Sequence, residues 1–306
     1  MKYLFGPVPS RRLGLSLGVD LVLPKTCPFD CIYCEVGRTT VKTMERREYI
    51  PAAAIVAELE TYFSRGAPRP DYVTLAGSGE PTLNRGLGRI IARLKNLTDS
   101  PVAVLTNGAL LHYPEVRREL AQADVILPSL DTVTPELFQI INRPAPGLRV
   151  DHLMAGLRAL REEYGGQIWL EVLLLRRLND TPEELAKLKA TLELVRPDRI
   201  HLNTAVRPVV EDFALPLTAA ELAEAASFLG HKAEVVASGG SGRHPQFDLS
   251  DGDFLASLAR RPQTAGDLAE VMGLPVAAVV KRLDRLVASG RVARMRHQHD
   301  TFYQTN

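Results

Sequence analysis

Cys27, Cys31 and Cys34 stand within eight residues, as Cys-Pro-Phe-Asp-Cys-Ile-Tyr-Cys, and they are the only cysteines in the chain. Three thiolates at this C-x3-C-x2-C spacing can hold three irons of a [4Fe-4S] cubane, whereas a cluster used purely for electron transfer takes a fourth cysteine. One iron is then left open to a substrate or cofactor, and the site is one at which chemistry begins. Two other uses of cysteine fit less well. A structural zinc takes four ligands, and the nearest histidine downstream is His112, so its fourth ligand would come from a distant segment. Disulfides would leave one cysteine over, in a chain long enough to need no staples.

Further polar clusters accompany the cysteines. Gly77-Ser78-Gly79-Glu80-Pro81 joins glycines, which let a backbone approach a ligand closely, to a carboxylate able to accept hydrogen bonds from an ammonium group. Thr106-Asn107-Gly108 and Ser129-Leu130-Asp131 offer short side chains that serve either a ligand or a cap or turn. Tyr33 is either a ligand-facing ring or a core residue. Glu171 lies inside the apolar run Ile168–Leu173, so it points into a polar cavity or pairs with a cation. Arg143, Asn179 with Asp180, and Arg207 with Glu211 are candidates for substrate contact, or for a solvated surface.

The elements that must position these groups alternate. Strands are expected near 16–23, 72–76, 102–106, 125–127, 168–175, 199–203 and 233–236, with helices near 51–64, 115–122, 135–141, 151–163, 182–195 and 219–229. Strands separated by helices give a parallel sheet. Repeated this often, the pattern predicts an α/β fold, a full or partial (β/α) barrel whose functional groups gather at the carboxyl ends of its strands. Every polar cluster above falls at or near such an end. A doubly wound open sheet is the other arrangement compatible with the periodicity.

The chain has 306 residues, 45% of them hydrophobic and 24% charged, enough for one large domain and a small one. A formal net charge of +1 supplies no global attraction to nucleic acid. No apolar run approaches the roughly 20 residues of a membrane span, and the start does not read as a signal peptide, so no membrane association and a reducing, cytoplasmic setting are expected. The barrel is expected over 1–237, with a Gly/Ser-rich linker at 238–252. Residues 253–306 read as helix, helix, helix and hairpin, the order of a winged helix-turn-helix. Lys281, Arg282 and Arg285 on its third helix, with Arg291, Arg294, Arg296, His297 and His299 in the hairpin, offer phosphate contacts. Neighbouring acids nearly balance them, so a solvated face or a protein-docking surface fits as well.

With Tyr33 preceding the last cysteine, the chain resembles the radical S-adenosylmethionine (SAM) superfamily. The resemblance implies a [4Fe-4S] cluster on Cys27, Cys31 and Cys34, with SAM chelating the open iron. One electron from an external reductant would then cleave SAM to methionine and a 5′-deoxyadenosyl radical that takes a hydrogen atom from substrate. It assigns Gly79 and Glu80 to the methionine amino group, Asn107, Ser129 and Asp131 to the ribose or methionine portion, and Tyr33 to the vicinity of adenine. Phe5–Gly14, Ser78–Thr82, Asn142-Arg143-Pro144 and Arg207-Pro208 resemble the wyosine-synthase-like branch, over about the first 235 residues. The named enzyme of that branch rebuilds a transfer-RNA base with carbon from pyruvate, and carries a second cluster for which this chain has no cysteines. Its substrate therefore does not transfer. RNA or a peptide held by the C-terminal domain are the partners expected, and a DNA-binding iron-sulfur redox sensor is the non-enzymatic rival.

Overall fold

The computed structural model describes residues 1–66, 69–236, 251–297 and 300–306. Its N-terminal part runs β1 (Leu4–Ser10), β2 (Gly14–Val19), α1 (Ala52–Ser64), β3 (Tyr72–Leu75), α2 (Leu87–Leu97), β4 (Val102–Thr106), α3 (Pro114–Leu120) and β5 (Val125–Pro128). It continues through α4 (Pro135–Ile141), α5 (Val150–Glu163), β6 (Gln167–Leu174), α6 (Pro182–Val195), β7 (Arg199–Thr204), α7 (Ala219–Leu229) and β8 (Ala233–Val235). These eight strands form one sheet in chain order. β1 is antiparallel to β2, and each later pair is parallel. Because every strand is laid beside its predecessor, the order never reverses, and the switch point of a doubly wound sheet does not arise. Among the described residues the sheet does not close on itself, as in a partial barrel.

Local chemistry sets the helix starts. The Thr181 hydroxyl accepts from the Glu184 amide, with Pro182 in the first turn of α6, and Thr218 and Glu221 form a reciprocal capping box on α7, the arrangement that satisfies otherwise orphaned amides. Ile55 and Leu59 of α1 and Leu87, Ile90, Ile91 and Leu94 of α2 are buried at helical spacing, each such side chain contributing about 2 kcal/mol. Two elements were not expected. Pro7 and Pro9 argue against a strand at β1, which tolerates them as a sheet edge with a register shift between Phe5 and Val8. α2 opens among Gly86 and Gly88, residues that weaken a helix signal.

A C-terminal module follows: α8 (Asp251–Leu258), β9 (Gln263–Thr264), α9 (Ala265–Met272), α10 (Val276–Ala288), β10 (Val292–His297) and β11 (Asp300–Thr305). Its strands pair in the order β9-β11-β10, antiparallel. Phe254, Leu268, Val279, Leu283 and Tyr303 build a core of its own, against which Val8 of β1 packs. Of the expected linker at 238–252, positions 238–250 lie outside the described residues, and Asp251 and Gly252 already belong to α8. Polar side chains also tie the module to the barrel. Arg260 lies 4.1 Å over the Phe5 ring and reaches Asp20, just past β2, at 3.1 Å. Beyond β7, Arg207 faces Asp267 of α9 at 3.7 Å. Among the described residues, no helix is long and apolar enough to cross a membrane.

Candidate functional site

The cysteines occupy the loop after β2, whose shape is set by long-range backbone bonds. Thr26-Cys27 pairs in parallel with Val41-Lys42. The Asp30 amide donates to the Asn142 carbonyl at 3.0 Å and the Ile32 amide to that of Ile141 at 3.0 Å, tying the loop to the end of α4. All three thiols are free and half-buried. They line a cavity of about 240 Å³ together with Gly79, Glu80, Asn107 and Ser129. Burial pushes all three thiols up from their ordinary range; Glu80 adds to this at Cys27 and Cys34 at Cys31.

The glycine turn after β3 is joined to the cysteine strand directly. The Lys25 amide donates to the Ser78 carbonyl at 2.6 Å and the Glu80 amide to the Thr26 carbonyl at 3.1 Å. A Cβ on Gly79 would lie 2.2 Å from the Thr26 oxygen, and one on Gly77, at φ +125°, 1.9 Å from Asp20 Oδ1. Only glycine lets these segments touch.

Glu80 is buried, and its acceptors are largely committed. Oε1 accepts from the Thr82 amide at 3.1 Å, the Thr82 hydroxyl at 2.6 Å and the Thr106 hydroxyl at 2.7 Å; Oε2 accepts from the Asn107 amide at 2.7 Å. A carboxylate has about four lone-pair sites, so Oε2 keeps one for a donor in the cavity. Burial pushes this carboxyl up, against those four donors. Asn107 donates to Cys27 Sγ at 3.3 Å, and Asn142 to Cys31 Sγ at 3.5 Å. Donors of this kind tune the potential of a metal cluster held by the sulfurs.

Four candidate residues are not among those lining this cavity. The Tyr33 ring packs with the apolar cluster of Ile32, Ile141 and Leu173, and its hydroxyl donates to Asp131 Oδ2 at 2.5 Å. Asp131 accepts also from Asn142 at 2.8 Å and from the Leu173 amide at 3.1 Å. Tyr33 and Asp131 thus brace the cysteine loop from behind, because the apolar cluster draws the ring away from the cavity. Arg143 is drawn to Glu211, at 2.6 Å, outside the cavity. Asn179 spends its amide on the backbone: Oδ1 accepts from Leu175 at 2.7 Å, while Nδ2 donates to the carbonyls of Asp131 at 2.7 Å and Leu173 at 2.8 Å. Replacing Asn179 with Ala strands three buried backbone groups and is expected to cost about 3 kcal/mol, seen as a lower thermal midpoint. A change in substrate KM at unaltered stability would make it a substrate contact instead.

Beyond the cysteine pocket a second, larger chamber opens, of about 480 Å³, which shares Val36, Ala76, Gly77 and Leu105 with the first. Strand residues Ser16, Gly18 and Thr74 face it from the barrel, and Arg260, Arg261, Gln263 and Asp267 from the C-terminal module. Glu171, on the cysteine-pocket side, forms a close ion pair with Arg12 and accepts from Asn203 at 3.0 Å. Burial raises its carboxyl, but Arg12 and Asn203 outweigh this and hold it down. Glu35, next to Cys34, is faced by three guanidinium groups: Arg207 at 3.0 Å, and Arg11 and Arg261 at 3.8 Å. Burial raises this carboxyl too, and the three cations together hold it at about 2. Of the expected substrate residues, Glu171 and Arg207 line the joined space. Arg11, Arg12, Glu35 and Arg261 were not singled out as site residues. The signal for the first two was an arginine pair on the stretch Phe5–Gly14; the other two carry none.

Strand-end groups around a three-cysteine loop on a partial barrel define a class. The profile of the Radical SAM superfamily matches residues 21–188, and the chain belongs to that superfamily. It is therefore an enzyme of a kind that binds a [4Fe-4S] cluster and SAM and needs an external reductant. More particularly, it is 36% identical over 217 residues to a UPF0026 protein of Methanocaldococcus jannaschii, covering 71% of this chain and 67% of that one. It is 34% identical over 295 residues to a protein named GTPase Obg of Brachyspira hyodysenteriae. That match takes in 95% of this chain, but the chain spans only 43% of that protein. Among solved structures, TYW1 with a lysine-pyruvate adduct bound shares the fold at a TM-score of 0.54 and 20% identity, over 74% of this chain and 75% of that one.

Proposed function

We propose that Cys27, Cys31 and Cys34 hold three irons of a [4Fe-4S] cluster, that Gly79, Glu80, Asn107 and Ser129 seat SAM on the fourth, and that the enzyme abstracts hydrogen from a substrate in the adjoining chamber. The observation that carries this reading is the convergence of three thiols from one loop on the cavity that also contains the glycine turn and Glu80. The donor set fits the group. The chain supplies three thiols in this cavity and no fourth cysteine, where a structural zinc takes four ligands. Buried thiols that resist ionisation become thiolates once a metal supplies the counter-charge. When bound, the cluster supplies one electron that cleaves the SAM sulfonium, yielding methionine and the radical.

This chain's own residues bind and orient. The remaining lone pair of Glu80 Oε2 accepts from an ammonium, and the glycine backbone at 77–79 lies open to close approach. The Asn107 and Asn142 side chains hold Cys27 and Cys31 by their sulfurs, while Tyr33 and Asp131 keep the loop from collapsing inward. Residues 251–306 are read as a winged helix-turn-helix domain on a barrel of residues 1–236, from the helix order and the three-stranded sheet. RNA docking has weaker support: Arg282 pairs with Asp251 at 2.5 Å and Arg294 with Asp284 at 2.5 Å, leaving Lys281 and Arg285 on the exposed face of α10.

Anaerobically reconstituted protein, given dithionite and SAM, is expected to form 5′-deoxyadenosine, measured by chromatography. A protein loaded with iron that leaves SAM intact, or one that takes up a single zinc, would sink the reading.

A further inference from the structure

We propose that Arg260 of the C-terminal module is a positioning residue for the glycine turn after β3: it holds Asp20, Asp20 holds the Ser78 amide, and the affinity for SAM therefore depends on a contact made by the module. This rests on the reading of Gly79 and Glu80 as part of the SAM seat.

The chain of contacts is short and buried. Asp20 stands just past β2, and its amide donates to the Tyr3 carbonyl at 2.8 Å, which fixes its backbone beside β1. The two carboxylate oxygens have separate uses. Oδ1 accepts from the Ser78 amide at 2.8 Å, and Oδ2 accepts from Nε and Nη2 of Arg260, each at 3.1 Å. The Arg260 and Asp20 side chains are only 16% and 11% exposed. The guanidinium is held on a second side by the Phe5 ring, 4.1 Å away, and that ring is itself lodged against Gly18, where a Cβ would collide with it. A guanidinium fork engaged on one oxygen sets the plane of the carboxylate. It thereby sets where the other oxygen points.

What Asp20 holds is the turn itself. The Ser78 amide donates to Asp20 on one side, while the Ser78 carbonyl accepts from the Lys25 amide, at 2.6 Å, on the other. Gly77 lies against the same carboxylate. Gly79 and Glu80 follow at once and line the cysteine cavity. The turn is therefore clamped between the cysteine loop and an acid whose orientation is set from the module. Burial pushes the Asp20 carboxyl up, and Arg260 and then the Ser78 amide oppose this. Removing the guanidinium leaves a buried carboxylate without that countercharge, an arrangement that relaxes by protonation or by turning toward water. Either way its bond to Ser78 weakens. Groups that orient the residues around a metal centre count for about ten- to a hundredfold in affinity or activity.

The test has two readouts. Hydrogen exchange of the peptide spanning Ser78, in protein without SAM, reads the turn directly, and dialysis of iron-loaded protein against labelled SAM reads affinity. Arg260→Gln is expected to speed exchange and to raise the SAM dissociation constant, each about tenfold, at unchanged iron content. Arg260→Lys, which keeps the positive charge, should recover most of both. Asp20→Asn should resemble Arg260→Gln, and the double variant should be no worse than the worse single one, because the two residues act in series. Val279→Ala, in the core of the module, should lower the thermal midpoint and leave both readouts unchanged. Wild-type SAM affinity in Arg260→Gln, additive losses in the double variant, or an equal loss of affinity in Val279→Ala would overturn the proposal. Exchange requires neither cluster nor SAM. Faster exchange in Arg260→Gln, beside a wild-type protein that binds no SAM, would thus count against the cofactor reading and leave the link from Arg260 to the turn standing.

Discussion

Replacing any one of Cys27, Cys31 or Cys34 with Ala is expected to empty the site of iron and to lower 5′-deoxyadenosine formation by more than about a thousandfold. The wild-type load should be about four irons per chain, and no neighbouring group can stand in, since these are the only cysteines. The effect should be all-or-none because the electron that cleaves SAM comes only from the cluster; a missing ligand removes the supply, not merely an orienting contact. The fold should survive. The cysteine side chains line a cavity and are only half-buried, so truncation leaves the main core intact and circular dichroism unchanged. Iron content and SAM cleavage are the readouts. A variant that kept both would show that the loop does not carry the metal.

Gly79→Ala is expected to be nearly as damaging without touching a cysteine. The added methyl group would sit 2.2 Å from the Thr26 carbonyl oxygen and 2.8 Å from Val22, and backbone cannot swing aside as a flexible side chain can. The turn must separate from the cysteine strand, breaking the 3.1 Å bond from the Glu80 amide to Thr26. Overpacking of this kind costs about 3 kcal/mol, and a displacement of about 1 Å at a reacting site costs about a hundredfold in rate. Reduced iron loading, a lower thermal midpoint and a rate loss of that size should appear together. Gly165→Ala is the control, since a Cβ there meets nothing within 4 Å and should change neither iron load nor rate. Wild-type activity in Gly79→Ala would mean that the turn is not part of the site.

Much of the fold was legible because it is written in short repeats. α4, α6 and α7 span the ranges expected from helical periodicity, 135–141, 182–195 and 219–229. β1 and α2 were not legible, since proline and glycine suppress the usual signals where an edge strand and a well-buried apolar stripe tolerate them. Of the residues lining the cysteine cavity, Gly79, Glu80, Asn107 and Ser129 had been singled out from motif spacing and strand-end position. Tyr33, Asp131, Arg143 and Asn179 could be named but not assigned. Their polar atoms are claimed by partners such as Leu173 and Glu211, which no local pattern reveals.

The amino-acid order by itself determined the chemistry available here: three thiols and no fourth, a glycine turn with one acid, and an alternation of strands and helices that gives a parallel sheet. Those features are local, and spacing of a few residues is enough to specify them. Only the tertiary structure decided what surrounds them. Glu35 meets Arg207 across 172 positions of chain, and Asp20 meets Arg260 across 240. The first pairing follows from the barrel bringing the cysteine loop beside the segment after β7 and the second from the packing of the module against β1, and a buried carboxylate takes whichever guanidinium the folded chain brings within reach. The same packing turns an arginine pair beside β2 into the wall of a chamber.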